Sequence, residues 1–157
     1  MKKRVLRYLN GTRNTSIMYQ AYGFPITGST DTSWNEDETG KPRSAYVYML
    51  SKAAISWKST AQQPISLSTC EAEYLALTEG MKEGKWLKSF IGELGFHEYC
   101  PEELQPYCDN QSAIKLIEDP MCHQRSKHID LKCLFARNDI ENKQFKVSYL
   151  PIEDMIA

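Results

Sequence analysis

The sequence predicts one α/β domain built on a mixed β-sheet. Length and composition are the first reason: 157 residues, 41% hydrophobic and 25% charged, suit a single soluble core. The second is a change of period. Apolar residues alternate before residue 60, then recur every three or four positions from Ser68 onward. The third is the order of elements, βββαβααβ. Short turns join the first three strands and helices lead to the later ones, which predicts three antiparallel strands and then crossovers.

Residues 2–9 read as one or two helical turns, stopped by Asn10-Gly11. Ile26 to Trp34 is the first strand, and the polar stretch NEDETGKPR (35–43) is a turn. SAYVYML (44–50) alternates as a strand, and AAISWKS (53–59) follows it, with 64–67 open as an extension. From Ser68 to about Leu94 no proline interrupts a helix, and Gly95 ends it. LQPYCD (104–109) reads as a short strand, and NQSAIKLIED (110–119) as a helix closed by Pro120. Residues 126–141 read as helix and QFKVSYL (144–150) as a strand closed by Pro151, with no repeat or low-complexity segment anywhere.

A net charge of −1 excludes a broad basic field, leaving only a local patch for phosphates. Five cysteines, an odd number with no CxxC, argue against a disulfide framework and for reduced thiols in cytosol or nucleus. No run of 18 apolar residues spans a membrane. The basic start MKKRVLRYLNG lacks the apolar centre of a signal peptide.

The chemistry concentrates in acids. With Ser68 as N-cap, Glu71 is the third helical residue and S-T-C-E forms a capping box. Glu73 lies roughly 160° around the helix from Glu71. It heads the apolar stripe Leu77, Met81 (or Gly80), Gly84, Leu87, Ile91 and Leu94. A carboxylate there is costly unless it is wetted at the helix end, paired with lysine, protonated or bound to a cation. Asp31 sits in a strand run, where aspartate is disfavoured, or else serves as a strand-edge turn residue. Asp109 ends a strand just before a helix, as an N-cap or as part of a site at the strand's carboxyl end. Three acids on three elements that could share one sheet edge suggest a hard-cation site suited to Mg²⁺ or Mn²⁺.

Other residues carry less. Cys122, His123, His128 and Cys133 invite a zinc reading, but the last two stand about 140° apart on a helix, so ordinary helix-start and core roles are favoured. Arg125 and Lys127 either meet phosphate at a helix start or belong to a solvated loop. Asn110 and Gln111 could contact a minor groove, where 2′-hydroxyls mark RNA. Trp34, Trp57 and Trp86 are read as core.

GSTDTSW, AAISWKS, LSTCEAEYLAL, WLKSFIGELGF, YCDNQSAIKL, RSKHIDL and SYLPIEDMIA stand in the order and spacing of a known family. The chain resembles the ribonuclease H domain of copia-type LTR retrotransposon Pol polyproteins over nearly its whole length. The resemblance implies a ribonuclease H-like mixed five-stranded sheet flanked by helices. It also implies hydrolysis of RNA in RNA–DNA hybrids by two divalent ions, Mg²⁺ or Mn²⁺. By motif position it makes Asp31, Glu73 and Asp109 catalytic metal ligands, and it implies the reverse transcriptase part of Pol as a partner. KKRVLRYLNGT resembles the end of that polymerase region, so 1–20 is read as its remnant and 21–157 as the ribonuclease H-like domain.

The family pattern continues into ADILTK, whose aspartate is the fourth carboxylate, whereas this sequence ends one position earlier at Ala157. Asp154 does not match that aspartate. The resemblance therefore implies a missing C-terminal helix, impaired turnover, and apolar surface exposed near Val147 and Tyr149. Ser33, Ala45 and the pair Cys133-Leu134 are milder departures. The other class left open is an inactive fragment of this fold that binds nucleic acid or protein.

Overall fold

The computed structural model describes residues 2–20, 23–33, 41–63, 66, 68–118 and 130–156. Among the described residues nine helices and strands run in the order expected, and two 3₁₀ turns bring the elements to eleven. Helix α1 (Lys2–Gly11) comes first, then β1 (Thr27–Ser33), β2 (Arg43–Leu50) and β3 (Ala53–Ala61). Helix α2 (Thr69–Glu93), β4 (Gln105–Cys108), α3 (Gln111–Glu118), α4 (Asp130–Glu141) and β5 (Ser148–Tyr149) complete the sheet and its cover.

The sheet order is β3-β2-β1-β4-β5. The first three strands are antiparallel, and β4 and β5 add in parallel beside β1. Parallel neighbours need crossovers, and α2 supplies the one from β3 to β4. Strand β2 alternates buried and half-buried residues, so Ser44, Tyr46 and Tyr48 face α2. Leu77, Met81, Leu87 and Ile91 of α2 pack there, each burial contributing about 1.5–3 kcal/mol.

Two glycines let α2 lie close to the sheet. The Tyr48 hydroxyl donates to the Gly80 carbonyl at 2.8 Å. A Cβ on Gly84 would overlap the Tyr48 hydroxyl, come within 2.8 Å of the ring carbon that bears it, and reach Phe145 at 3.1 Å. The helix ends as expected. Gly95 takes φ +83°, its N–H bonds the Gly92 carbonyl, and the Phe96 N–H bonds that of Ile91. These two bonds are those of a Schellman motif.

Four expectations need correction. Leu94 caps α2 with a still-helical backbone and is 55% exposed, past the last stripe residue that is buried, Ile91. Trp57 and Trp86 are exposed rather than core, and Trp86 stacks on Phe90 with ring centres 5.1 Å apart. The final strand is shorter than 144–150. Its ladder is Ser148–Tyr149, with one parallel bridge from Leu104 to Phe145 before it. Val147 is buried with Leu104 and Phe145 in the core, whereas Tyr149 is exposed as expected. Trp34, Pro64 and Leu67 lie outside the described residues, as does the start of the helix expected at 126.

Candidate metal centre

The site begins with strand register. Strands β1 and β4 run parallel, pairing Thr27 with Gln105 and Ser29 with Tyr107. Two residues further along each chain stand Asp31 and Asp109. Adjacent strands are about 4.8 Å apart, so the register brings these acids side by side. Asp31 is still inside β1, opposite Ala45 of β2, and is not a turn residue. Asp109 follows the last residue of β4.

Asp109 does not cap α3. Its neighbour does: the Ala113 N–H donates to Asn110 Oδ1 at 3.0 Å. The cap gives Asn110 a structural task and leaves Asp109 to the sheet edge. Gln111 is exposed on the first turn of α3.

Glu73 arrives from the opposite side, on the first turns of α2. Ser68 is extended and its hydroxyl accepts the Glu71 N–H at 3.1 Å, the helix start that the sequence predicts. The same turn is clamped to the sheet. The Ala72 carbonyl accepts from Thr32 Oγ1 at 3.2 Å and from Gln62 Nε2 at 2.9 Å. Gln62 Nε2 also donates to Ser44 Oγ at 2.8 Å, and the Ser66 hydroxyl donates to Gln62 Oε1 at 2.7 Å. This buried clamp fixes Glu73 over the ends of β1 and β4.

The electrostatics are adverse. Glu73 is 7% exposed, and its Oε2 has no hydrogen-bond partner. Burial first, then the charges of Asp109 and Asp31, push its carboxyl from 4.5 up to about 8, and hydrogen bonds from Thr32 offset only part of that. Burial pushes the Cys108 thiol up to about 12, with the same acids adding to the rise.

Among the described residues, one group brings metal-ligating atoms together. Atoms of Glu73, Cys108 and Asp109 lie within 4.8 Å of one another. Asp31 is not in that set, although it is close enough to raise the carboxyl of Glu73. An orphaned buried oxygen beside further carboxylates fits a divalent cation, which would neutralise charges that now repel.

Arg125, Lys127, Cys122, His123 and His128 lie outside the described residues, as does the side chain of Cys133. Sequence reasoning missed Gln62, Thr32 and Cys108. The clamp partners of Gln62 are set by tertiary folding, so local pattern carries no signal for them. Cys108 was readable as the residue before the strand-end acid. Cys100 and Cys108 are free thiols. No helix among the described residues is long and apolar enough to cross a membrane.

No family model matches the chain. Curated relatives do. The Retrovirus-related Pol polyprotein from transposon TNT 1-94 of Nicotiana tabacum is 40% identical over 146 residues, covering 92% of this chain and 11% of the relative. The corresponding polyprotein from transposon RE1 of Arabidopsis thaliana is 32% identical over 157 residues, covering 99% of this chain and 11% of the relative. This chain therefore spans about a tenth of the length of these relatives. Among solved structures, LC11-RNase H1 in complex with RNA/DNA hybrid superposes with a TM-score of 0.57 at 14% identity, over 83% of this chain and 88% of that one. The chain is homologous to a segment of plant retrotransposon Pol polyproteins, and its fold is that of a ribonuclease H domain.

Proposed function

We propose that this ribonuclease H-type domain of retrotransposon Pol kinship hydrolyses the RNA strand of RNA–DNA hybrids with two divalent ions, Mg²⁺ or Mn²⁺. The observation that carries this reading is the meeting of β1, β4 and the start of α2 at one sheet edge, with a buried Glu73 oxygen left without a partner. We assign metal binding to Asp31, Glu73 and Asp109. Asp31 and Asp109 extend from neighbouring strands, and Glu73 closes the site from above. Bound cations would activate a water and stabilise the leaving 3′ oxygen. The protein's own part is to hold its acids in fixed positions through the Gln62 and Thr32 clamp. Gln111, beside the acids and exposed, we assign to the minor groove of the hybrid.

We also assign residues 21–157 to this domain and 1–20 to the segment that joins it to the polymerase part of such polyproteins. That setting makes the reverse transcriptase region its covalent partner and an intracellular particle or the nucleus its place of work.

A fluorescent RNA–DNA hybrid incubated with the protein in Mg²⁺ and in Mn²⁺ tests the reading. Cation-dependent cleavage is expected, falling by at least about a hundredfold in Asp31→Asn. Hybrid binding without cleavage, unchanged by Asp31→Asn and by EDTA, would identify a non-catalytic binding domain instead.

A further inference from the structure

We propose that Cys108 makes this centre a receptor for one thiophilic divalent cation of the Zn²⁺ class, held by its Sγ together with carboxylate oxygens of Glu73 and Asp109. The proposal rests on the metal-site reading above, and it adds a ligand that hard-cation chemistry does not use.

Three observations carry it. First, the Cys108 sulfur and one oxygen from each acid lie within 4.8 Å of one another. Ligands around one tetrahedral Zn²⁺, with bonds of about 2.0–2.3 Å, stand roughly 3.5 Å apart, so closure needs about an ångström of side-chain movement. Second, Glu73 Oε2 is buried without a partner in a residue only 7% exposed, which marks a place where positive charge is wanted. Third, Cys108 is wholly buried at the border of the apolar core, and its sulfur turns polar contacts toward the loop that carries Asp109. The Asn110 N–H donates to that sulfur at 3.4 Å, and the thiol reaches the Asn110 carbonyl at 3.9 Å. That N–H stabilises a metal-bound thiolate as it would any developing anion.

The chemistry distinguishes the two kinds of ion. Mg²⁺ takes oxygen ligands and keeps much of its water, so it gains little from sulfur. Zn²⁺ and Co²⁺ accept mixed sulfur and oxygen sets. A thiophilic ion in this set engages Glu73 and Asp109, and those two carboxylates are then unavailable to the hard ions that the proposed hydrolysis uses. Such an ion acts as a competitor at the site.

Co²⁺ titration of the reduced, metal-free protein tests this, read by absorbance and by equilibrium dialysis. A near-ultraviolet thiolate-to-cobalt band should saturate at one equivalent. It should be lost in Cys108→Ser and in Cys108→Ala, each checked for native circular dichroism, and excess Mg²⁺ should diminish it in the unaltered protein. Because the band is first sought in the unaltered chain, a variant that fails to fold does not rescue the idea. Co²⁺ bound without a thiolate band, with binding lost in Glu73→Gln, would overturn the role of Cys108 and leave the carboxylate site standing. A band that persists in both Cys108 variants would assign the thiolate to another cysteine and also overturn it. No bound Co²⁺ by dialysis, together with no bound Mn²⁺ by electron paramagnetic resonance, would sink the metal-site reading itself.

Discussion

Replacing Glu73 with glutamine should stabilise the metal-free protein at neutral pH, although it removes a residue of the proposed site. The folded carboxyl keeps its proton up to about 8, whereas its ordinary value, kept in the unfolded chain, is 4.5. Its contribution to stability is therefore whole below about pH 4.5 and is lost as pH rises through about 8. Each pH unit in that window is worth about 1.4 kcal/mol. At pH 7 the folded state has given up about 3 kcal/mol, and the wetted edge of the helix end trims this toward about 2. Glutamine escapes that loss but leaves an amide partly unpartnered, at about 1 kcal/mol. The net expectation is a gain of about 1 kcal/mol at pH 7, or about 3 °C in Tm for a domain of this size. At pH 4.5 the gain should vanish or reverse. Urea melts in EDTA from pH 4.5 to 8 measure it. Saturating Mn²⁺ should invert the order, since a ligand at a hundred times its Kd adds about 2.7 kcal/mol to the unaltered chain alone. If Glu73→Gln is less stable at every pH, by a constant amount, a protein group satisfies the carboxylate and the argument fails.

Three further outcomes follow from packing and capping. Gly84→Ala drives a methyl into Tyr48 and Phe145 and should cost about 1–3 kcal/mol in urea melts. Ser68→Ala removes the acceptor for the Glu71 N–H at the start of α2 and should cost about 1 kcal/mol, read by thermal melts. Lys85→Met removes the 2.7 Å partner of Asp139, a carboxylate 5% exposed whose other oxygen already lacks a partner. It should cost about 2 kcal/mol, less than for a fully buried pair because the lysine is half exposed. Asp139→Asn introduced beside Lys85→Met should recover part of that loss.

The elements were legible because punctuation and period agreed. Alternation in 44–50, an unbroken run from Ser68 and glycine at 95 each specify local geometry, and the structure has a strand, a helix and a left-handed cap there. What failed lay in how side chains pack. Trp86 and Phe90 are four apart, so they meet each other along the flank of α2 instead of reaching the core. Val147 is buried with Phe145 and Leu104 in the core, on the inward face of the alternation Phe145, Val147, so the strand pattern outweighs the exposure expected there. The acids themselves could be picked out by their oddity in apolar or strand settings. Which residue capped α3 could not, since Asp109 and Asn110 are both good caps and differ by one position.

The chain also contains its own control for reading Glu73. Asp139 is as deeply buried as Glu73, 5% against 7% exposed, and each has one carboxylate oxygen with no partner. Asp139 is met by the ammonium of Lys85 at 2.7 Å. Among the described residues no basic side chain pairs with Glu73, and its charged neighbours are Asp109 and Asp31, of its own sign. A fold that needed only a stable helix start would have been served by Ser68 and Glu71 alone, with an apolar residue at 73. Instead the Gln62 and Thr32 clamp fixes Ala72, and with it Glu73, where the carboxylate costs most. Burial of an acid is tolerated at Asp139 because a cation is built in. At Glu73 no cation is built in, so the carboxyl either keeps its proton, as it does up to about 8, or takes a cation from outside, and that choice, rather than the count of acids, is what argues for a metal centre at this edge of the sheet.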